Sequence, residues 1–191
     1  MALVLTSAPA VEPVTVAEAK AHLRIDHDSE DALIAGLIVT ARLHIEASLG
    51  LALITQSWSY RLDSWPAGGA VVLPLRPVQA IAAVRITAAD ATVATLAADR
   101  YLLDGASVPP RLVATTPPWP RPGLGAQGIE IAFTAGYGNT ASAVPPSIRQ
   151  ALLLLVAHWY EHREPVLVGE AAAPVPDTIA TLLAPHRMVR L

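Results

Sequence analysis

The segment HWYEHRE, residues 158–164, contains the residue types of a zinc hydrolase site. His158, Glu161 and His162 form H-x-x-E-H, in which two histidines on one helix face bind zinc and a glutamate activates water. A catalytic zinc also needs a third protein ligand and an open coordination position. The acidic residues that follow in the chain are Glu164, Glu170 and Asp177. None falls on a helix that would present it back to the histidines, so a zinc-dependent hydrolase is the weaker of two hypotheses for this segment.

The stronger hypothesis for the same segment is a buried packing helix. Pro145 and Pro146 precede an apolar run that Pro165 ends, which predicts a core helix over residues 145–164. One face of this helix collects Ile148, Leu152, Leu155, Trp159 and His162. Because other leucines cover the remaining sides, we expect burial on more than one side. The residues expected to serve subunit packing are Leu152, Leu155, Trp159 and Tyr160.

Other catalytic chemistry is missing from the sequence. The chain has no cysteine, which excludes thiolate zinc sites and cysteine nucleophiles. It contains no G-x-S-x-G elbow and no glycine motif that cradles phosphate. The acidic cluster at residues 26–31 lacks the central glycine and terminal glutamate of a calcium loop, and helix capping accounts for it. We therefore expect no enzymatic activity, no cofactor and no bound metal.

Composition favours an interaction protein. Hydrophobic residues make up 53% of the chain and charged residues 15%, with a net charge of -3. This apolar share is large for a soluble monomer and indicates surface that is buried against other subunits. The sequence has no block of lysine or arginine residues, so it does not predict tight nucleic-acid binding. We expect no membrane segment, because the apolar windows contain charges or are too short and the N-terminus lacks a basic signal region.

Three tryptophans support a further hypothesis. Trp58, Trp65 and Trp119 lie in the strand-rich middle of the chain, where aromatic side chains could line a peptide- or polysaccharide-binding groove. A simpler role for Trp119, within PPWPRP, is to anchor its loop on the sheet. The sequence alone does not show whether a groove exists.

The order of patterns along the chain predicts an α+β fold. Residues 14–50 read as helical, and residues 53–136 contain short runs of period two separated by turn residues, as in ITQSWSYRL. We predict one domain over 1–191, with a mainly helical core, long helices near both ends and an inserted small antiparallel β region. Residues 166–191 form a flexible linker and a C-terminal tail helix.

The second predicted helix is amphipathic. It begins with a cap at residues 28–29, runs to about Leu49 and stops at Gly50. Its apolar stripe consists of Ile34, Leu37, Ile38, Ala41 and Ile45. Arg42 and Glu46 are predicted to point away from the core.

The tail leaves two alternatives open. Asp177 caps the short helix TIATLLA, and Leu182, Leu183 and Met188 would be exposed hydrophobic residues unless they dock. They either bind a partner or fold back on their own domain.

Several separated stretches together resemble a known family. They are PVTVAEAKAHLRIDHDSEDALI, ALITQSWSYRLDSWP, AGYG with VPPSIRQALLLLVAHWYEHRE, and the terminal LLAPHR. In this order and spacing they resemble the phage head–tail connector (head completion, or adaptor) family of long-tailed phages, prophages and gene transfer agents.

The resemblance implies a structural role without enzymatic activity or cofactor. It implies a ring of subunits, often dodecameric, in the neck of a virion or virion-like particle assembled in the bacterial cytoplasm. The ring would dock under the portal protein, extend the DNA channel without sequence-specific binding to the double-stranded DNA, and offer a platform to the stopper or tail-proximal neck protein. The residues that would reach the portal are Leu182, Leu183, Pro185, Arg187, Met188 and Leu191.

Overall fold

The computed structural model describes residues 1–162 and 176–188, and the chain divides into two compact units. The β unit consists of Met1–Ala10 with Gly50–Tyr137, and the helical unit consists of Val11–Leu49 with Gly138–Leu191. Antiparallel sheets in one unit and helices in the other confirm the predicted α+β class.

The β unit contains two antiparallel sheets. Its strands are β1 (Ala2–Ser7), β2 (Gln56–Leu62), β3 (Ala70–Val72), β4 (Val78–Thr87), β5 (Val93–Thr95), β6 (Tyr101–Asp104), β7 (Arg111–Ala114) and β8 (Ile129–Ala135). The larger sheet has the order β1-β2-β8-β4-β5, and the smaller has the order β3-β7-β6. The predicted run ITQSWSYRL contains β2.

Strand β8 lies at the centre of the larger sheet, and its sequence explains its position. Ile129, Ile131, Phe133 and Ala135 alternate along the strand, and all are buried. This period of two places one complete side of β8 in the core. Polar residues between them, such as Glu130, lie on the other side of the sheet.

Strand β1 corrects the predicted limits of the β region. The region was expected to span 53–136, but Ala2–Ser7 pairs with β2 as an additional edge strand. The larger sheet is therefore built from two separated stretches of chain. Sequence reasoning missed β1 because Val4 and Leu5 are exposed on the edge, so the strand has no alternation of buried and exposed residues.

The helical unit contains α1 (Val16–Leu23), α2 (Asp31–Leu49), α3 (Pro146–Glu161) and α4 (Asp177–Leu183). Thr15 caps α1 in a reciprocal capping box with Glu18. Gly50, with a φ of 63°, follows α2 at the predicted stop.

Helix α3 ends earlier than predicted. The expected limit was residue 164, but the helix ends at Glu161, and His162 has a non-helical φ of -112° and ψ of 64°. The backbone N–H of His162 donates to the carbonyl oxygen of His158 at 3.1 Å, so a helical hydrogen bond closes the last turn although His162 itself has left the helix.

Helix α2 carries its predicted apolar stripe on the buried side, except that Leu37 is half-buried. The prediction that Arg42 and Glu46 point away was wrong, because both side chains are buried. Among the described residues, α2 is also the one helix long and apolar enough to cross a membrane by length and composition. Its buried face is that of the core helix of a folded unit.

Candidate interaction surfaces

The residues of the H-x-x-E-H segment lie at the end of α3. The rings of His158 and His162 are 4.7 Å apart between centroids and are tilted by 33°. Nδ1 of His162 lies 2.9 Å from the carbonyl oxygen of His158, a hydrogen bond that needs the proton on Nδ1. Glu161 is exposed to solvent. The geometry is that of a helix end closed by its own histidine.

No third ligand accompanies these histidines in the described part of the chain. Within residues 1–162 and 176–188, no group of three or more His, Cys, Asp and Glu side chains stands close enough to hold a metal. Glu164 and Glu170, two of the acidic residues considered above, lie outside the described residues. The third, Asp177, begins α4.

The predicted packing residues of α3 have two kinds of environment. Leu152 and Leu155 are fully buried inside the helical unit. Trp159 is half-buried and meets the ring of His44 edge-on, with 5.8 Å between centroids. The hydroxyl of Tyr160 donates a hydrogen bond to Oε2 of Glu30. The aromatic end of α3 is thus fixed by polar partners on and before α2.

A buried ion network ties the segment before α1 to α2. Nε and Nη2 of Arg42 donate to the two carboxylate oxygens of Glu12, at 2.7 and 3.2 Å. Nη1 donates to Glu46 at 2.9 Å. Burial alone would lower the pKa of Arg42, but its carboxylate partners outweigh burial and raise that pKa. The guanidinium therefore stays charged.

A second arginine ties α3 to α1. Nε of Arg149 donates to the carbonyl oxygen of Pro13 at 2.9 Å, and Nη2 pairs with Glu18. The backbone N–H of Thr15 donates to the same carboxylate at 2.8 Å. This backbone hydrogen bond, with help from the Thr15 hydroxyl and Arg149, lowers the pKa of Glu18.

The tail helix folds back on its own unit. Ile179 and Leu183 of α4 are buried, and α4 packs against α3. A short 3-10 turn, Ala184–His186, follows α4, and Nε2 of His186 lies 2.9 Å from the hydroxyl of Ser147. Of the two alternatives considered for the tail, binding a partner or folding back, the structure shows Leu183 folded back on its own unit.

The other predicted portal-binding residues differ in exposure. Pro185 and Arg187 are exposed, and Leu182 and Met188 are half-buried. Leu191 lies outside the described residues. Of the predicted portal-binding residues that the structure describes, a proline and an arginine are therefore exposed, together with the edges of two apolar side chains.

A groove lies along two of the three tryptophans in the β unit. Trp65 and Trp119 stack with 4.2 Å between ring centroids and 9° between planes. Their indole N–H groups donate to the carbonyl oxygens of Pro120 and Gly69, each at 2.7 Å. The groove has a volume of about 840 Å³. Trp58 does not line it and instead packs against the core of the unit.

The Trp65–Trp119 pair is explained as a loop anchor. Both N–H groups are used by backbone carbonyls of the neighbouring loops, so the stack fixes the loops on the sheet. This fits the simpler role considered for Trp119. Among the described residues that line the groove, Arg121 is the one charged side chain, and it does not single out a peptide or a sugar.

Comparison with known proteins gives a family match over most of the chain. Residues 12–189 match the profile of the family described as "Head completion protein". The chain belongs to the head completion protein family. This confirms the resemblance inferred from the spacing of the sequence motifs, and the match covers both units.

Solved structures of similar chains come from gene transfer agent (GTA) particles. Chains in "Neck of empty GTA particle computed with C6 symmetry" and "Neck of native GTA particle computed with C12 symmetry" give TM-scores of 0.85 and 0.81. A chain in "Virion of native gene transfer agent (GTA) particle" gives 0.83. Each of these three chains is 32% identical to this chain, and each alignment covers 100% of this chain and 97% of the similar chain. No curated protein sequence matches the chain.

Proposed function

We propose that this head completion protein is a structural head–tail adaptor in the neck of a virion or virion-like particle. It forms a ring under the portal, extends the DNA channel and provides the docking platform for the stopper or tail. The observation that carries the proposal is the full-length similarity, at 32% identity, to chains in the necks of GTA particles. Residues 1–191 act together as one connector domain assembled in the bacterial cytoplasm.

The adaptor works as a ring of identical subunits, and we propose a dodecamer. Support comes from the C12 and C6 symmetry named for the similar neck structures. The large apolar share of the sequence agrees with a subunit that buries surface against its neighbours.

The tail is the segment proposed to reach the portal. Ile179 and Leu183 hold α4 on α3, and this leaves Pro185 and Arg187 at the surface. Arg187 suits a carboxylate on the partner, since its guanidinium presents a fork of N–H donors. Leu182 and Met188 would add apolar edges beside it, and Leu191 would follow at the chain end.

The charge pattern suits a channel through which DNA slides. Several arginines are paired with carboxylates inside the subunit: Arg42 with Glu12 and Glu46, Arg85 with Glu130, Arg111 with Asp104, and Arg149 with Glu18. Paired arginines bind phosphates weakly, and a net charge of -3 adds no general attraction. Such a lumen would pass double-stranded DNA without holding it.

The role needs neither enzymatic activity nor a cofactor. The end of α3, where a zinc hydrolase would have its centre, instead joins α3 to residues on and before α2. The partners of the adaptor are the portal protein, a stopper or tail-proximal neck protein, and further copies of itself.

Reconstitution with the cognate portal tests the proposal. The purified adaptor is mixed with portal and imaged by negative-stain electron microscopy. A coaxial ring on the tail-facing end of the portal is expected, and portals without that ring at saturating adaptor would contradict the role. The adaptor alone need not form rings, because assembly can order the tail on docking.

A further inference from the structure

An uncharged surface runs along the exposed side of α2. We call it the outer α2 face and define it by six exposed residues at helical spacing: Leu33, Gly36, Val39, Thr40, Leu43 and Ala47. Leu33, Val39 and Leu43 are 40%, 37% and 54% exposed. The opposite side of the helix packs in the core of the helical unit, so α2 is apolar on both sides.

Gly36 lies in the middle of this face, and the subunit gives no reason for a glycine there. A Cβ atom added to Gly36 would have no heavy atom within 4 Å. Glycine inside a helix lowers stability relative to alanine, because it loses more backbone freedom on folding. Another protein surface packed closely against the helix at this point would explain the glycine, because that surface would occupy the space of the missing methyl group.

The polar groups of the face are already satisfied within the helix. The hydroxyl of Thr40 donates to the carbonyl oxygen of Gly36 at 2.8 Å. A partner that covers this turn would leave no donor of Thr40 unpaired. The face is therefore suited to burial against another protein surface.

The size of the face fits the centre of an interface. A helix of this length extends about 28 Å and, at a width of about 10 Å, presents roughly 280 Å². That area is about a third of what one partner contributes to an interface of standard size. More polar surface around the helix would supply the remainder.

We propose that the outer α2 face is a subunit–subunit interface that binds a second copy of this chain in the assembled ring. The inference rests on the proposed adaptor function and specifies which surface closes the ring. The symmetry of the similar neck structures is cyclic and higher than two-fold. Cyclic rings of this order use heterologous contacts, in which two different surfaces of one chain meet. The outer α2 face thus meets a different surface of the neighbouring copy.

Site-specific cross-linking tests the proposal directly, because the chain contains no cysteine. Val39→Cys and Leu43→Cys are labelled with benzophenone-maleimide, assembled on the cognate portal and irradiated. We expect an adduct of two adaptor chains, at twice the 20.0 kDa mass of one. Mass spectrometry should place the second attachment point outside α2. His22→Cys, exposed on α1, is the control and should give at least fivefold less adduct.

A second pair of variants tests the face without a label. Leu43→Glu should reduce the number of complete rings on portals at least tenfold, because it buries a charge at the interface. Leu102→Glu is the matched control, since Leu102 is 61% exposed in the β unit, and should assemble normally. Circular dichroism must show that both variants are folded, so that a loss of rings reports on assembly.

The outcomes separate this proposal from the adaptor role. If wild-type protein forms no ring on the portal, both fail. If wild-type rings form but neither cysteine position yields an adaptor–adaptor adduct, only the interface proposal is overturned. The interface proposal would also be overturned if the labelled cysteines attached to the portal, to another neck protein or to added anionic lipid vesicles and not to a second adaptor chain.

Discussion

Arg42 and Glu46 lie one turn apart on α2 and form a buried ion pair, with 2.9 Å between Nη1 and Oε2. Glu12 completes the network from the segment that precedes α1. Charges withdrawn from water are tolerated only when they are paired and hydrogen-bonded. The network therefore attaches the segment before α1 to α2.

Removing one member of this network should destabilise the protein strongly. Arg42→Met removes the guanidinium that pairs with the carboxylates of Glu46 and Glu12, and we expect a loss of about 3 kcal/mol in the free energy of unfolding. Urea denaturation followed by circular dichroism measures it. Arg42→Met combined with Glu46→Leu should be less destabilised than Arg42→Met alone, and a double variant that is worse would contradict the account.

Two glycines should respond oppositely to alanine. Gly36→Ala should stabilise the subunit by about 0.5–1 kcal/mol, since the added methyl group meets nothing and helix propensity improves. Gly136→Ala should destabilise it by more than 1 kcal/mol, because Gly136 has a φ of 139° and a Cβ would lie 2.6 Å from the backbone of Ile54. Thermal denaturation measures both. A destabilised Gly36→Ala would show that the helix needs this glycine within the subunit.

The β unit should lose stability in acid through Glu130. The hydroxyl of Ser59 donates to Glu130 at 2.7 Å, and Nη1 of Arg85 donates to the same carboxylate at 3.2 Å. These two bonds hold the pKa of Glu130 below its ordinary 4.5, although partial burial opposes them. The stabilisation is present above about pH 4.5 and is lost as the pH falls through the lower, folded-state pKa. Wild type should exceed Glu130→Gln in stability at pH 7, and the difference should shrink towards pH 3.

Chemical denaturation at a series of pH values checks this dependence. Glu161→Gln, at an exposed position of α3, is the control and should follow wild type. A difference between wild type and Glu130→Gln that stays constant from pH 7 to pH 3 would rule out the proposed contribution.

The H-x-x-E-H segment should not hold zinc at stoichiometric levels. His162 is the non-helical cap residue that ends α3, and within residues 1–162 and 176–188 no third His, Cys, Asp or Glu stands beside the two histidines to complete a site. Metal analysis of protein purified without an affinity tag is the measurement. One zinc per chain that disappears in His158→Ala would revive the hydrolase hypothesis.

The tail should contribute to stability and to portal docking through different residues. Ile179→Ala removes a buried side chain of α4 and should cost about 2–4 kcal/mol of stability. Arg187→Glu changes an exposed charge and should leave the thermal midpoint within about 2 °C of wild type. We expect Arg187→Glu to weaken portal binding at least tenfold in a pull-down titration.

The matched substitution for the tail is Arg24→Glu, an exposed arginine at the end of α1. It makes the same change in net charge at a distant place in the sequence. Equal loss of portal binding in both variants would show that only net charge matters and would remove the tail from the portal interface.

Strands and helices with one clearly buried side could be predicted from the sequence. β8 is an example, because its alternating Ile129, Ile131 and Phe133 fix which side faces the core. The buried stripe of α2 and the stop at Gly50 follow from the same kind of local rule. These elements are determined by periodicity and by single-residue conformation, and both are properties of the sequence itself.

Features that depend on distant partners could not be predicted. Arg42 was assigned to solvent because its carboxylate partner Glu12 is 30 positions away, and only the fold brings the two together. The docking of Leu183 on α3 likewise depends on where the chain returns. The exposed edge strand β1 lacks the pattern that burial produces. The outer α2 face was missed because a stripe of Leu, Val, Gly and Ala reads as core until the structure shows it exposed.

Cryo-electron microscopy of particles that contain this protein tests the adaptor role most directly. The reconstruction is made from wild-type particles, with particles from a strain that lacks the gene as the control. We predict twelve copies of this chain in one ring between portal and tail, and tailless heads without that ring in the deletion strain. Complete, tailed particles from the deletion strain, or density for this chain anywhere other than the neck, would contradict the account.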